Sequence, residues 1–222
     1  MKLFTLHWLV QIIKMRGLFI TFEGIDGSGK TTQLKLLEQY LKDCKIDYVK
    51  TREPGGSDGA EEIRNLLVKG PTARWSPETE TLLFFASRRD HLEKTIIPAL
   101  EEGKLVICDR FTDSTRVYQG IARSRIRDTV DKLQNLMINL EPDLTFILDM
   151  SPQEALKRGL ARKTGEDRFE EFGEEFQNKA RLGFIELSKK FPKRCIVINA
   201  DGNPKAISKE IIKHYERVAN LF

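Results

Sequence analysis

The segment GIDGSGKTT, residues 24–32, follows the apolar run Leu18 to Phe22 and matches the pattern G-x-x-x-x-G-K-[ST] in full. Its glycines let backbone N–H groups turn toward phosphate oxygens, and the positive end of the following helix attracts the same anion. We therefore expect a phosphate-binding loop; a glycine-rich turn that serves packing only is the alternative. The expected nucleotide-binding residues are Gly24, Asp26, Gly27, Ser28, Gly29, Lys30, Thr31 and Thr32.

Within this loop, Lys30 is expected to reach the outer phosphates and the Thr31 hydroxyl to hold Mg²⁺. A GTPase should also show Asp-x-x-Gly after a strand and an Asn-Lys-x-Asp base-reading motif, and the segment at 178–181, Asn-Lys-Ala-Arg, does not qualify. A motor or helicase usually needs a longer chain. A kinase with a second, acceptor substrate fits better, because arginines and aromatic residues cluster near the predicted strand ends.

Apolar runs alternate with helical patterns along the rest of the chain. The runs predict strands at 18–22, 47–50, 105–108, 144–148 and 195–198. Apolar spacing, caps and prolines predict helices at 30–41, from Ser76-Pro77 to about Leu100, at 130–140, from Ser151-Pro152, at 180–187, and from Asn203-Pro204 to Val218. This order predicts an α/β fold with a parallel sheet covered on both faces. Ligands then bind at the carboxyl ends of the strands, in the loops at 24–30, 51–57, 109–115 and from 149 onward.

Composition bounds the class of protein. The 222 residues suffice for one domain, and 40% hydrophobic with 32% charged residues is typical of a soluble globular protein. A net charge of +4, from 37 basic and 33 acidic residues, is too balanced to indicate nucleic acid or a membrane as partner. The cysteines, Cys44, Cys108 and Cys195, are interpreted as buried thiols of a cytoplasmic protein. The three histidines are scattered, and none is assigned as a ligand.

The first fourteen residues resemble a secretory signal only superficially. No small-residue cleavage pattern follows the apolar run, and the run is too short to span a bilayer. We interpret residues 1–14 as a non-native or dispensable extension and residues 15–222 as a single domain.

Several motifs occur together in one order: FEGIDGSGKTT at 22–32, TREPGG at 51–56, Phe84 with Arg88, and DRF at 109–111 followed by Ser114 and YQG at 118–120. This set resembles the bacterial thymidylate kinases from Arg16 to the end of the chain. The resemblance implies a P-loop kinase fold with a five-stranded parallel sheet and a mobile lid. It also implies transfer of a phosphoryl group from ATP to dTMP with Mg²⁺, and a homodimer.

The resemblance assigns the phosphate end of the acceptor site to two arginines. Arg52 and Arg110 can each donate two hydrogen bonds to the acceptor monophosphate, because the planar guanidinium matches the geometry of two phosphate oxygens. A surface salt bridge is the alternative for Arg52. Asp109 is expected to orient Arg110 or to reach a magnesium-bound water, and a helix cap is the alternative. Asp26 would approach the sugar hydroxyl or the metal, while Glu53 and Ser114 look like supports.

The base end of the acceptor site is assigned to one helix and the YQG segment. Phe84 and Arg88 lie four residues apart and share a helical face. By resemblance, Phe84 stacks on thymine and Arg88 bonds its edge, although Phe84 could instead be core, with Phe85 in its place. Gln119 would read the base, and Tyr118 would crowd the sugar. Arg116 stands where members of the family often have a small residue, close in sequence to the residues expected to contact the sugar.

The charged segment at about 158–172 resembles the lid of the family. Residues 25–28 contain no basic residue, so an arginine for the transferring phosphoryl group must come from elsewhere. Arg158 and Arg162 are the expected lid arginines, with Arg168 next, and a solvated charge run is the alternative. Closure would exclude water and favour transfer over hydrolysis. Another nucleoside or nucleotide monophosphate kinase, or a P-loop switch protein, remains an alternative for the whole chain.

Overall fold

A computed structural model of the chain describes residues 16–71, 74–123, 126–160 and 173–220. The extension at 1–14 and most of the expected lid, including Arg162 and Arg168, lie outside the described residues. No helix among the described residues is long and apolar enough to cross a membrane.

Five parallel strands form one sheet in the order β2-β3-β1-β4-β5. They are β1 (Phe19–Glu23), β2 (Tyr48–Arg52), β3 (Leu105–Asp109), β4 (Leu144–Asp149) and β5 (Cys195–Asn199). The expected fold class and all five expected strands are confirmed, each within one or two residues at its ends. β1 is the middle strand, so the phosphate loop that follows it leaves the centre of the sheet.

Helices connect the strands and cover both faces of the sheet. They are α1 (Lys30–Asp43), α2 (Asp58–Val68), α3 (Pro77–His91), α4 (Ile97–Glu101), α5 (Thr112–Val117), α6 (Arg127–Leu133), α7 (Pro152–Leu160), α8 (Gly173–Lys190) and α9 (Pro204–Ala219). π-Helical stretches extend α3, α5 and α6 at Leu92–Ile96, Tyr118–Arg123 and Gln134–Ile138. The sequence did not predict α2, whose buried residues Ala60, Leu67 and Val68 are too few to give a strong helical pattern.

Two helix starts follow from local capping. The Ser76 side chain accepts a hydrogen bond from the Thr79 N–H, and Pro77 occupies the first helical position of α3. The Asn203 side chain accepts from the Lys205 N–H at the start of α9. Both caps use side-chain oxygens for backbone donors that the helix itself cannot satisfy. Both of these predicted starts are confirmed, as is the third, at Ser151-Pro152, where Ser151 Oγ accepts from the Glu154 N–H at 3.4 Å.

The core lies in two layers, one on each face of the sheet. Successive strand residues point to opposite faces, so Ile20 and Phe22 join one layer while Phe19 joins the other. α1, α8 and α9 contribute to the first layer, and α3 and α4 contribute to the second. Cys108 and Cys195 are buried as expected, but the expectation for Cys44 is wrong: it is exposed, because it follows the last turn of α1.

Candidate active site

One pocket of about 520 Å³ opens at the carboxyl edge of the sheet. It lies beside the ends of β1, β2 and β3, where their loops meet. The predicted residues that line it are Asp26, Gly27, Gly29, Lys30, Thr31, Arg52, Glu53, Phe84, Arg88, Asp109, Arg110, Ser114, Tyr118 and Gln119. The sequence therefore identified most of the pocket wall, because parallel strands carry their connecting loops to one edge.

The phosphate loop is tightly packed against its neighbours. Gly27 has φ +83°, and a Cβ there would lie 1.9 Å from the Ala155 carbonyl oxygen of α7, so only glycine fits. Lys30 is buried, and its Nζ donates to the carbonyls of Gly24 and Ile25 at 3.0 and 2.9 Å. Burial, followed by the charge of Arg110, lowers the pKa of Lys30 to about 8.

Three other predicted loop residues do not line the pocket. The carbonyl of Gly24 accepts hydrogen bonds from Lys30 and from Arg110, so this residue organises the cations around the loop. Ser28 is buried and Thr32 is exposed on the first turn of α1. Any contact of these residues with a nucleotide would therefore use their backbone groups or lie outside the pocket.

Arg110 lies at the centre of the site. It occupies a left-handed backbone conformation, φ +71°, in the turn between β3 and α5. Its Nη1 donates to the Gly24 carbonyl at 3.0 Å and to Ser114 Oγ at 2.9 Å, and its Nη2 donates to Asp26 Oδ1 at 2.5 Å. These contacts hold the guanidinium between the phosphate loop and α5.

Glu23, which the sequence analysis did not assign, supports the same turn. It is fully buried at the end of β1, and its carboxylate accepts from the Phe111 N–H at 2.7 Å and from Ser114 Oγ at 2.6 Å. Burial, reinforced by the charge of Asp113, raises the pKa of Glu23 to about 7. The sequence did contain a signal for this role: Glu23 is a charged residue on a strand that must be buried, directly before the phosphate loop.

Thr31 and Asp109 bring a hydroxyl group and a carboxylate together beside the phosphate loop. Thr31 Oγ1 donates to Asp109 Oδ2 at 3.2 Å, and both residues line the pocket. A hydroxyl and one carboxylate suit Mg²⁺, which takes few protein oxygens and fills its other positions with substrate phosphates and water. The two residues therefore fit this ion.

The end of β2 provides further cations. Arg52 lines the pocket with its side chain 51% exposed and forms an ion pair with Glu61 of α2 at 3.0 Å. The ion pair agrees with the alternative interpretation of this arginine, and phosphate binding stays a prediction. Arg64, also on α2, lines the pocket and donates to the Pro54 carbonyl at 2.6 Å. The sequence analysis missed Arg64 because it missed the helix that carries it.

α3 places an aromatic ring and a guanidinium at the other end of the pocket. Phe84 is half-buried and lines the pocket, whereas Phe85 is buried in the core. Arg88 is 2% exposed; its Nε donates to Glu53 Oε2 at 2.7 Å and its Nη2 to Thr115 Oγ1 at 3.0 Å. Its Nη1 is buried with no hydrogen-bond partner among the described residues. This donor lies in a side chain that lines the pocket, so a ligand can satisfy it.

The YQG segment completes the pocket wall. Tyr118 is buried, and its ring lies 5.3 Å from the guanidinium carbon of Arg110. Gln119 Nε2 donates to Glu80 Oε1 of α3 at 2.9 Å, so a second buried carboxylate orients this amide. Arg116 does not line the pocket; it is buried on the other side of α5 in ion pairs with Asp113, Asp131 and Glu141. Its unusual identity therefore leaves the pocket wall unaltered.

The expected contributions from the loop after β4 lie apart from this pocket. Asp149 forms a two-pronged ion pair with Arg181 of α8, at 2.6 and 2.9 Å. Arg158 is exposed on α7, and neither Asp149 nor Arg158 lines the pocket. α7 nevertheless packs against the phosphate loop, because the backbone of Ala155 lies directly beside Gly27.

Known proteins share this sequence and arrangement. The profile of the family described as thymidylate kinase matches residues 22–211. The thymidylate kinase of Dinoroseobacter shibae is 58% identical over 198 residues, which cover 89% of this chain and 96% of that protein. That of Jannaschia sp. is 57% identical, with 89% and 95% covered. The crystal structure of thymidylate kinase from Ehrlichia chaffeensis is 40% identical, with a TM-score of 0.73 and 90% and 99% of the two chains covered.

Proposed function

Because the chain belongs to the thymidylate kinase family, we infer that it is an ATP-dependent kinase that converts dTMP to dTDP. One observation carries this function in the structure: a phosphate loop and two arginines line one end of a pocket, and an aromatic ring with a buried guanidinium lines the other. The first end suits two phosphate chains, and the second suits a pyrimidine base. We further propose that residues 15–222 form a single kinase domain.

The donor and acceptor phosphates meet around Lys30 and Arg110. An oxygen of the dTMP phosphate attacks the γ-phosphorus of ATP, the bond from that phosphorus to the β-bridging oxygen breaks, and ADP leaves. The backbone amides of the loop and Lys30 bind the donor phosphates, while Arg52 and Arg110 bind the acceptor phosphate. Asp26 keeps Arg110 beside the loop. These cations offset the repulsion between the two anionic substrates.

Thr31 and Asp109 are the proposed holders of Mg²⁺, through the Thr31 hydroxyl and a water on the Asp109 carboxylate. When bound there, the ion would neutralise charge on the donor phosphates. No group of three His, Cys, Asp or Glu residues in the described ranges could hold a metal ion by itself.

The base of dTMP is proposed to stack on Phe84 while Arg88 donates to its edge. Arginine has only donors, so the facing atom must be an acceptor, as thymine O4 is and the cytosine amino group is not. Gln119 reads the base from the other side, and Tyr118 lies against the sugar. The buried Nη1 of Arg88 supports this assignment, because burying an unpaired donor is costly without a ligand.

Arg158 and Arg162 are proposed to act from a lid at about 158–172 that closes over the transferring phosphoryl group. Support comes from the absence of a basic residue at 25–28 and from the contact of α7 with the phosphate loop. Water exclusion by the closed lid would favour transfer to dTMP over hydrolysis of ATP.

We propose a cytoplasmic homodimer that takes no nucleic acid or membrane as partner. The three cysteines are free thiols, which suits a reducing compartment. Leu82 on α3 and Leu136 and Met137 after α6 are exposed, and Arg89 of α3 donates to the Met137 carbonyl at 2.8 Å. These exposed apolar side chains on contacting elements support a surface that a second copy covers.

A screen of acceptors tests the function. Purified protein with ATP and Mg²⁺ is offered dTMP, dUMP, UMP, CMP or AMP, and ADP release is coupled to a spectrophotometric assay. We expect fastest release with dTMP and formation of dTDP on chromatography. Preference for another acceptor would indicate a different monophosphate kinase, and release independent of any acceptor would indicate a nucleotide-dependent switch protein.

A further inference from the structure

A buried chain of hydrogen bonds runs from the end of β2 into the base-binding end of the pocket. Thr51 Oγ1 lies 2.6 Å from His91 Nε2, His91 Nδ1 lies 3.2 Å from Glu53 Oε1, and Glu53 Oε2 accepts from Arg88 Nε at 2.7 Å. His91 is fully buried, and the side chains of Glu53 and Arg88 are 3% and 1% exposed. Only Arg88 at the end of this chain has a donor left for a ligand.

Elementary chemistry assigns a donor and an acceptor to each hydrogen bond in this series. An ionised carboxylate only accepts, so His91 must carry a proton on Nδ1 and donate it to Glu53. In the neutral ring, Nε2 then accepts from the Thr51 hydroxyl. Both oxygens of Glu53 are thereby engaged, one by His91 and one by Arg88. The carboxylate cannot rotate without breaking one of these bonds, so His91 fixes the plane in which Glu53 holds the guanidinium.

The loop that follows Arg52 packs against the side chain of His91. Gly56 has φ +93°, and a Cβ there would lie 2.3 Å from His91 Nε2 and 2.5 Å from Thr51 Oγ1. Ser87 Oγ accepts from the Gly55 N–H at 3.3 Å, and Thr95 Oγ1 donates to the Gly56 carbonyl at 2.7 Å. Ser87, His91 and Thr95 follow one another at four-residue intervals. One side of α3 and its π-helical extension is thus joined to the loop that follows Arg52.

We propose that His91 is a positioning residue that acts through Glu53 to fix Arg88 against the acceptor base, and so contributes to the selection of thymine over cytosine. This inference rests on the proposed function. Arg88 contacts the base; His91 and Thr51 do not line the pocket and act through Glu53. The same group of hydrogen bonds joins α3 and its π-helical extension to residues 53–56, the loop that follows Arg52.

Two substitutions of His91 test the roles of its two ring nitrogens separately. The amide nitrogen of Asn occupies roughly the place of Nδ1, and that of Gln occupies the place of Nε2. His91→Asn therefore keeps the donor to Glu53, whereas His91→Gln loses it and keeps a contact with Thr51. The readout is the ratio of the dCMP and dTMP dissociation constants, measured by calorimetry, together with the KM values for dTMP and ATP.

We expect the ratio of the dCMP to the dTMP dissociation constant to fall by about tenfold in His91→Gln, because one buried hydrogen bond is lost. In His91→Asn the ratio should stay within about threefold of wild type. The KM for dTMP should rise in His91→Gln while the KM for ATP stays within about twofold. Equal ratios in wild type and His91→Gln, or equal losses in the two variants, would overturn the inference. Wild-type protein that forms no dTDP would instead overturn the proposed function.

A second pair of variants keeps the inference testable if His91→Gln does not fold. Thr51→Val removes the hydroxyl that contacts His91, and Thr21→Val removes a buried strand hydroxyl that bonds Thr145 Oγ1 at 2.8 Å, away from the pocket. We expect Thr51→Val to lower the dCMP:dTMP ratio by about threefold and Thr21→Val to leave it unchanged. The same ratio in both variants would overturn the inference.

Discussion

Arg110 Nη2 lies 2.5 Å from Asp26 Oδ1, so the turn after β3 and the phosphate loop after β1 are joined by an ion pair at the centre of the pocket. The remaining contacts of the guanidinium, to the Gly24 carbonyl and Ser114 Oγ, leave it little freedom. The cation is therefore already in place before a substrate arrives, and the protein need not reorganise when charge develops during transfer.

Arg110→Lys should lower kcat by about a hundredfold, because one ammonium cannot replace the planar fork that reaches Asp26, Gly24 and a phosphate together. Steady-state assays with dTMP and ATP measure the effect. Arg89→Lys, on the exposed side of α3 in an ion pair with Glu93, is the matched control and should remain within about twofold of wild type. Equal turnover in wild type and Arg110→Lys would remove Arg110 from the catalytic centre.

Phe84→Ala should affect dTMP binding, whereas Phe85→Ala should affect stability. Phe84 lines the pocket, so its loss should raise the KM for dTMP by about tenfold or more, as expected for a lost base–aromatic stack, with little change in stability. Phe85 is in the core, so its loss should reduce the free energy of unfolding by about 3–5 kcal/mol. Kinetics and urea unfolding of both variants measure this. An unchanged KM in Phe84→Ala would exclude stacking.

Glu23 should make stability depend on pH. Burial raises its pKa from 4.5 to about 7, so between these values the folded state binds more protons than the unfolded state, and this group lowers stability as the pH rises through that range. The neutral Glu23→Gln variant lacks this titration. Urea unfolding at about pH 5 and pH 8 should therefore show the variant gaining stability relative to wild type at the higher pH. A constant difference would contradict the shifted pKa.

The lid arginines can be tested one at a time. Arg158→Ala and Arg162→Ala should each lower kcat more than they raise either KM, because the charge they stabilise develops mainly during transfer. A loss of about tenfold or more in at least one variant is expected. Full turnover in both variants would refute the lid assignment.

The proposed dimer depends on an exposed apolar surface. Leu136 is 78% exposed after α6, and Leu136→Glu should shift the protein toward monomer in sedimentation equilibrium, because a charge would be buried in the interface. Leu182→Glu is the matched control, since Leu182 is 57% exposed on α8. Wild-type protein that sediments as a monomer would overturn the dimer, as would equal association in Leu136→Glu and wild type.

The pattern of residues predicted the strands well because each strand is short, apolar and bounded by polar or glycine-containing loops. It missed α2 and α5, and it did not predict the π-helical stretches that follow residues 91, 117 and 133. Hydrogen-bond spacing within a helix depends on how neighbouring elements pack. Apolar periodicity does not report it.

The sequence by itself determined the phosphate loop, the parallel sheet and most of the pocket wall, because loops that follow parallel strands must meet at one edge. Only the tertiary structure showed that Phe84 lines the pocket while Phe85 lies in the core, and that Arg116 does not line the pocket. It also showed that Glu23 accepts a hydrogen bond from Ser114 beside Arg110, and that His91 contacts Glu53. Neighbouring residues in the chain can face opposite ways, and hydrogen bonds across 38 or 91 residues depend on packing that local sequence does not encode.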